Sequence, residues 1–510
     1  MRISHSFKGP GGCGKECSMK RLTENMGLKI RIKETRFYLR RIETRLPFRF
    51  GAYTLGKVPL LHLALEAESE GGTRVRGVAA DNLMPKWFDK DPAKTPVDNV
   101  NDLLLSVRIA RDLYAESGRN PASVWAILRE TYPQCLRRGK EEGLNSLVAS
   151  FGSSLFERAL VDAVGKFTGQ DLSGILRENL LGIQPADVHP ELGYEDFLSW
   201  AREKPLSDLF VRHTVGLLDP LDSSDPSGQD KIRDGLPVTL EDYILRHGLS
   251  FFKVKIGGTP EEDFERLRRV ASILDRLIPR TYFVTLDGNE QFNSLEDLLS
   301  LMRRIRARPA LDRFYRSIGF VEQPLDRRFS LEPRLKAELE GLSEINPVII
   351  DESDDNLNAF KTAVSLGYRG VSAKNCKGIM KSFLNRSLIA KLNRERKPED
   401  RLFMTAEDLT NVPIVPLQQD LTTVRVLGIP HLERNGFHYV RGLGHCSEHE
   451  RELAIRHHGD LYEGDSREAF MRIENGQIQV DSLSVPGYGI AFDPDFESME
   501  PLDLEKIMDF

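Results

Sequence analysis

Between Leu28 and Leu39 the segment LKIRIKETRFYL alternates apolar and polar residues, the pattern of a strand with one buried face. Pro47-Phe48-Arg49-Phe50-Gly51 reads as a turn, and a second strand pattern, VPLLHLALEAES, runs from Val58 to Ser69. Gly71-Gly72 turns the chain into Val75–Val78, which predicts a small antiparallel sheet. From about Asn101 to Leu181 the periodicity becomes helical, as in Leu155–Phe167, where Leu155, Ala159, Val161, Ala163 and Phe167 fall on a broad stripe. Strands followed by helices describe an α+β unit. After about residue 205 short β-branched or aromatic runs alternate with amphipathic helices. One helix is expected over Glu262–Leu277, with Phe264, Leu267, Val270, Ile273 and Leu274 on one side. A second follows Ser294, whose SLED opening reads as a capping box, and a third runs from Asn356 to Gly367. Alternating strand and helix implies parallel strands, with a long loop at Asp222–Gly235.

Six of these apolar runs end in charge: Lys253 and Lys255, Asp287, Glu322, Asp351, Lys374 and Glu407. Steps of 32, 35, 29, 23 and 33 residues separate Lys255 from Asp287, Glu322, Asp351, Lys374 and Glu407 in turn, each about one βα unit. Charges that end consecutive parallel strands converge on the C-terminal face of a (β/α) barrel, where such barrels carry their chemistry. The predicted architecture is therefore a TIM-like (β/α)₇₋₈ barrel over about residues 205–445. An α+β capping domain over 28–200 closes its mouth, and a C-terminal segment, 446–510, packs on the cap. Buried charge is costly unless paired or metal-bound, and Asp287, Glu322 and Asp351 on adjacent strands would repel one another without a cation. Three carboxylates with open positions suit Mg²⁺. Lys253 and Lys255 face the same way along a strand, so each is expected to disfavour protonation of the other and leave a neutral amine as base. Taken singly, a Lys-x-Lys or an Asp-Gly-Asn is usually a solvated turn; it is the ordered set that points to a site.

Composition narrows the class further. The chain has 510 residues, 40% hydrophobic and 29% charged, which excludes a collagenous, low-complexity or largely disordered protein. A net charge of −6 gives no basic excess for nucleic acid. No apolar run approaches the length of a membrane span, and residues 1–25 lack the apolar core of a secretory signal. Five cysteines argue for a reducing, cytoplasmic setting rather than a disulfide framework. Residues 1–27, with Cys13 and Cys17 in a Gly- and Lys-rich tract, read as a disordered leader rather than a metal site. Assembly into a homo-oligomer is left open.

The ordered motif resembles the enolase superfamily, in particular the muconate-lactonizing-enzyme-like subgroup of the mandelate racemase/muconate lactonizing enzyme family. The likeness rests on Lys253-Val254-Lys255, Asp287, Glu322, Asp351 within Asp-Glu-Ser, and Lys374. It extends from Pro47-Phe48-Arg49-Phe50 to Val485-Pro486-Gly487-Tyr488-Gly489, about residues 28–495. It implies an isomerase or lyase in which Mg²⁺ on Asp287, Glu322 and Asp351 binds a small-molecule carboxylate. A lysine removes the α-proton through a metal-stabilised enediolate. Racemisation or epimerisation is the leading reading. Elimination, of the dehydratase or o-succinylbenzoate-synthase kind, is the alternative, and a catalytically silent acid-binding protein is the alternative outside enzymes. The substrate itself is not legible. Two departures from the family pattern stand out: one glycine rather than two after Lys374, and extra residues over Arg306–Ser317.

The remaining candidates weigh less. Glu407 either binds substrate or forms a salt bridge at the rim, and Arg49, Phe50 and Tyr53 are tentative substrate contacts by analogy with the capping loop of relatives. Lys86-Trp87-Phe88 sits in a lid loop, where hydrophobic anchoring is the simpler role. His445 and His449 would bind zinc only if they shared a helix face. The interleaved Glu448, Glu450, Arg451 and Glu452 favour a solvated surface helix instead.

Overall fold

The computed structural model describes residues 27–50, 53–225, 232 and 234–506. The leader, with Cys13 and Cys17, and part of the Asp222–Gly235 loop lie outside them. No helix among the described residues is long and apolar enough to cross a membrane.

Strands β1 (Ile30–Phe50), β2 (Tyr53–Ser69) and β3 (Arg74–Asn82) form an antiparallel sheet. The first hairpin is longer than the sequence predicts. A register shift between Glu43 and Phe48 takes up Pro47, and pairing resumes at Phe48–Leu55 and Phe50–Tyr53. Pro47, which cannot donate to the ladder, thus sits in an irregularity rather than ending the strand.

Helices α1 (Pro96–Ser117) and α3 (Ser146–Thr168) pack on this sheet, and α2 (Val124–Glu141) packs on both of them. The stripe expected on α3 is an understatement, because every residue from Leu147 to Gly165 is buried. The helix is enclosed by β3 on one side, α1 and α2 on another, and the barrel helix Ile379–Leu392. A helix surrounded on all sides has no solvated face to show in its sequence.

The barrel comprises β4 (Asp208–Val215), β5 (Phe251–Lys255), β6 (Phe283–Asp287), β7 (Ile318–Glu322), β8 (Val348–Ile350), β9 (Gly370–Ala373), β10 (Phe403–Ala406) and β11 (His431–Arg434). All neighbours are parallel, and β11 pairs with β4 to close it. The predicted helices are present at Pro260–Leu277, Leu295–Arg306 and Ala359–Ser365, and the Ser294 hydroxyl accepts from the Asp297 N–H as its capping motif requires. The extra residues after Arg306 form a 3₁₀ turn and a short helix, Asp312–Ser317.

Alternate residues of each barrel strand point inward, so the lumen is stacked in layers. The lowest layer is aromatic: Phe251 lies 4.5 Å from Phe210 and 5.5 Å from Phe283, between ring centroids, and Phe320 lies 5.4 Å from Phe403. Arg212 lies against this plug, its guanidinium 5.5 Å from the Phe320 ring. The inward positions above are polar or charged, Arg212, Lys253, Thr285, Glu322 and Thr405 among them, so an apolar floor gives way to a polar mouth within two strand periods.

After the barrel come a two-stranded ribbon, β12 (Tyr462–Gly464) and β13 (Ala469–Met471), and two single strands. Strand β14 (Gln477–Gln479) pairs antiparallel with β4, and β15 (Glu500–Leu502) pairs antiparallel with β1.

Candidate active site

The strand ends bring Lys253, Lys255, Asp287, Glu322, Asp351, Lys374 and Glu407 to one buried cluster, each under a tenth exposed. Lys253 is at its centre. Its Nζ donates to Glu407 Oε1 at 2.5 Å, to Glu322 Oε1 at 3.0 Å and to Glu433 Oε2 at 3.0 Å, and lies 3.0 Å from Asp287 Oδ2. Lys255 donates to Asp287 Oδ2 and, at 3.0 Å, to Asn289 Oδ1. Across the mouth Lys374 donates to Asp351 Oδ2 at 2.8 Å and lies 3.1 Å from Glu407 Oε2. Lys377 holds the other Asp351 oxygen at 2.9 Å and is anchored by the Asp351 and Ser372 carbonyls.

The electrostatics differ from the expectation of a neutral lysine. Burial presses Lys255 down and Lys253 adds to that, yet the Asp287 and Glu433 carboxylates together outweigh both and its pKa is raised. Lys253 and Lys374 are likewise held well above the usual lysine value despite burial, by the carboxylates around them. Two adjacent lysines repel, but an oppositely charged oxygen at hydrogen-bond distance is the nearer charge. Asp287 is also buried, yet Lys253 and Lys255 bring it down to about 2. Burial, seconded by Glu407, pushes Glu322 well above the carboxylate range, while Lys253 and Lys374 overcome burial and hold Glu407 well below it.

Among the described residues Glu322, Asp351 and Glu407 are the carboxylates whose oxygens gather within 4.8 Å of one another. Glu322 Oε2 is buried and accepts no hydrogen bond. A buried carboxyl oxygen without a hydrogen-bond partner inside a hard-oxygen group is a position a divalent cation can occupy, so the residues present fit a metal such as Mg²⁺.

The loop after β3 forms the roof. Trp87 is 5% exposed, packs edge-to-face on Phe88, and stands over Lys374 with Nζ 4.3 Å from the ring centroid. Its role therefore combines anchoring with contact to a mouth lysine. Lys90 on the same loop reaches the Asn289 carbonyl at 2.9 Å and Glu290 at 2.5 Å, and Arg327 donates to the Trp87 and Phe88 carbonyls at 2.8 and 2.9 Å. Beneath this roof, Met84, Trp87, Lys255, Asn289 and Lys374 help to line a cavity of about 30 Å³. A larger cavity, about 1080 Å³, is lined by Phe88, Lys90, Glu290 and Arg327 and by none of Lys253, Lys255 or Lys374.

Several contributors were not singled out from sequence. Glu433 lies at the end region of β11 as Glu407 directly follows β10, 26 residues earlier, so the same strand-end spacing would have found it. Arg212, fully buried in β4, fixes Glu407 at 3.2 Å from below, and no motif marks it. Glu157 on α3 accepts the Met380 N–H at 3.1 Å, capping the barrel helix Ile379–Leu392. Gly378, with φ +102°, begins that helix, and a Cβ there would stand 3.2 Å from Glu157 Oε1. Arg49, Phe50 and Tyr53 belong to the tip of the β1–β2 hairpin, and their side chains lie outside the described set. His445 does not share a helix face with His449. The helix begins at Glu448 behind its Ser447 cap, and His445 bonds the Pro413 carbonyl. Glu450 is not solvated as expected; it is buried against Arg40 at 2.8 Å.

Solved structures can be set beside this arrangement. A mandelate racemase/muconate lactonizing protein from Herpetosiphon aurantiacus is 14% identical, covering 91% of this chain and 99% of its own, with a TM-score of 0.57. Muconate lactonizing enzyme from Mucobacterium Smegmatis, complexed with muconolactone, is 17% identical over 93% and 100%, with a TM-score of 0.57. Dipeptide epimerase from Cytophaga hutchinsonii, complexed with Mg and the dipeptide D-Ala-L-Val, is 15% identical over 92% and 99%, with a TM-score of 0.56. The chain has their fold. The expected architecture, a barrel with an N-terminal antiparallel sheet domain, is therefore met along nearly the full length of these structures. No family model and no curated protein matches the chain in sequence.

Proposed function

We propose that this protein is an enolase-superfamily enzyme that removes the proton α to a carboxylate of a small molecule and returns one to the opposite face, as a racemase or epimerase. The observation that carries the reading is the placement of Lys255 and Lys374 on β5 and just beyond β9, both lining the roofed cavity with carboxylates between them. A base on each side of an α-carbon is what inversion needs. The muconate lactonizing enzyme and dipeptide epimerase folds agree with a substrate carboxylate at this mouth.

In this reading Glu322 and Asp351 contribute to a Mg²⁺ site. When bound, the cation supplies positive charge against the substrate carboxylate as its α-carbon loses a proton. With a cation held by these carboxylates, Lys255 or Lys374 would be freer to hold a neutral amine and to take the α-proton. Lys253 holds Glu407 and Glu433 in place, and Trp87 excludes water from Lys374. Residues 28–200 act as the cap, 205–445 as the catalytic barrel and 446–510 as a segment packed on the cap.

The test is exchange of the α-proton in deuterated water, with Mg²⁺, across acyl-amino acids, dipeptides and sugar acids. Exchange with inversion for one class supports the proposal. Exchange that persists undiminished with a strong chelator, or no exchange for any class, refutes it.

A further inference from the structure

The two lysines of the mouth are supported differently. Lys255 is the last residue of β5 and lies in ladder register with Asp287. Lys374 stands one residue beyond β9, where the ladder has ended at Ala373–Ala406, and it leads into the 3₁₀ turn Asn375–Lys377. A backbone that has left its sheet keeps its direction only if something outside the ladder holds it.

Asn375 is held by a closed ring of three hydrogen bonds. Its Nδ2 donates to the Tyr488 hydroxyl at 3.3 Å, that hydroxyl bonds Thr423 Oγ1, and Thr423 Oγ1 donates to Asn375 Oδ1 at 2.9 Å. With Tyr488 as donor in the middle bond, each group gives one hydrogen and receives one. All three residues are buried. Thr423 lies on the helix Val415–Leu427, whereas Tyr488 comes from the C-terminal segment. Tyr488 is anchored in turn by the cap. Its N–H donates to Asp162 Oδ1 of α3 at 2.9 Å, and Asp162 Oδ2 accepts the Val78 N–H of β3 at 2.9 Å. The Gly487 N–H donates to the Gln170 carbonyl at 3.0 Å. Gly165 of α3 comes so near that a Cβ on it would stand 2.5 Å from the Gly487 Cα. The cap fixes the segment, the segment fixes Tyr488, and Tyr488 reaches the turn that follows Lys374.

We propose that Tyr488 is a positioning residue for Lys374, acting through Asn375. It does not line the roofed cavity itself. Without its hydroxyl, a buried Asn375 N–H and a buried Thr423 oxygen lose their partner, and the turn recovers that cost only by shifting. Lys255 has no share in this ring, so the effect is one-sided. The inference rests on the proposed racemase or epimerase reading and adds the residue that sets one of its two bases.

Tyr488→Phe and Thr423→Val each remove one hydroxyl of the ring, and Thr423→Ser keeps it; circular dichroism first establishes native folding. Amide exchange of the ligand-free chain in deuterated water is read by mass spectrometry on peptides covering residues 374–380 and 251–257. The Lys377 and Gly378 N–H groups, which donate to the Lys374 and Asn375 carbonyls at 3.0 Å, should exchange about tenfold faster in Tyr488→Phe and Thr423→Val. The β5 peptide, and both peptides of Thr423→Ser, should exchange as in the parent. If Tyr488→Phe fails to fold, Thr423→Val carries the same comparison. Solvent exchange of the α-proton is then followed separately for each enantiomer of the acyl-amino acid, dipeptide or sugar acid that reacts with the parent. The enantiomer whose exchange Lys374→Ala abolishes should slow by about tenfold in Tyr488→Phe, and the other by less than about twofold. An equal loss for both, or turn amides that exchange as in the parent, overturns the positioning role and leaves the racemase reading intact. If the parent exchanges neither enantiomer of any of these compounds, that reading falls and the positioning of its base with it.

Discussion

Glu157→Gln should make the protein more stable at pH 8 than at pH 5, relative to the parent. Glu157 is 2% exposed on α3, its carboxylate capping the helix Ile379–Leu392 through Met380. Burial is the largest influence on it, and its pKa rises from 4.5 to about 7, although the helix N–H groups and Lys381 pull the other way. Between those two values the folded chain keeps a proton that the unfolded chain has released. The parent therefore loses stability as pH rises through that window, by about 1.36 kcal/mol per pH unit at the steepest. Integrated from pH 5 to pH 8, the loss is about 2.5 kcal/mol for this group alone. Gln cannot titrate and still offers a carbonyl to the Met380 N–H, so the variant lacks this slope. Urea unfolding, followed by tryptophan fluorescence at several pH values, measures the difference. The gap between variant and parent should widen by about 2–3 kcal/mol toward pH 8. Parallel pH profiles for the two proteins would refute the argument, since Glu157 would then not change protonation between these limits. Glu157→Ala separates the cap from the charge: relative to Glu157→Gln, it should cost about 1 kcal/mol of capping at every pH.

Three further outcomes follow from the mouth and its roof. Lys255→Ala should abolish solvent exchange of one enantiomer's α-proton and Lys374→Ala that of the other, each by about 10²–10⁴-fold; an equal effect of one lysine on both enantiomers would indicate elimination instead. Glu322→Gln should remove the rise in melting temperature that Mg²⁺ produces in the parent, and an unchanged rise would discount the metal site. Trp87→Ala should raise KM and speed amide exchange in the loop after β3, because the Lys374 contact is worth about 0.5–2 kcal/mol; a change in kcat alone would contradict the roof.

The barrel was legible because its signal is local: a short apolar run, a terminal charge and a βα interval, repeated from Lys253 to Glu407. Strand-end residues converge by topology, so their meeting required no knowledge of side-chain packing. What was illegible depends on partners distant in sequence. The protonation expected of Lys255 followed from its neighbour Lys253, whereas the outcome is set by Asp287 and Glu433 on other strands. Which oxygens of Asp287 and Glu407 are engaged turns on Asn289 and on Arg212, and no motif marks Arg212. Glu450 looks solvated among charged residues, but Arg40 from the first strand buries it. The stripe on α3 failed for the opposite reason: a helix packed on every side loses the contrast that periodicity detects.

The pairing of β15 with β1 has a consequence in time. The sheet order is β15-β1-β2-β3, so β1 is an interior strand only once residues 500–502 exist. On a ribosome adding roughly 5–20 residues each second, that edge waits on the order of a minute with Phe37 and Leu39 already laid into the sheet. An open edge that waits is a template for foreign strands. The composition of β1 answers this: it carries Arg31, Lys33, Arg36, Arg40, Arg41, Arg45 and Arg49 among its 21 residues. Seven positive charges repel a second copy of the same strand, while Glu500 of β15 can lie beside Arg41. The first strand made thus stays guarded against its own kind until the last one arrives.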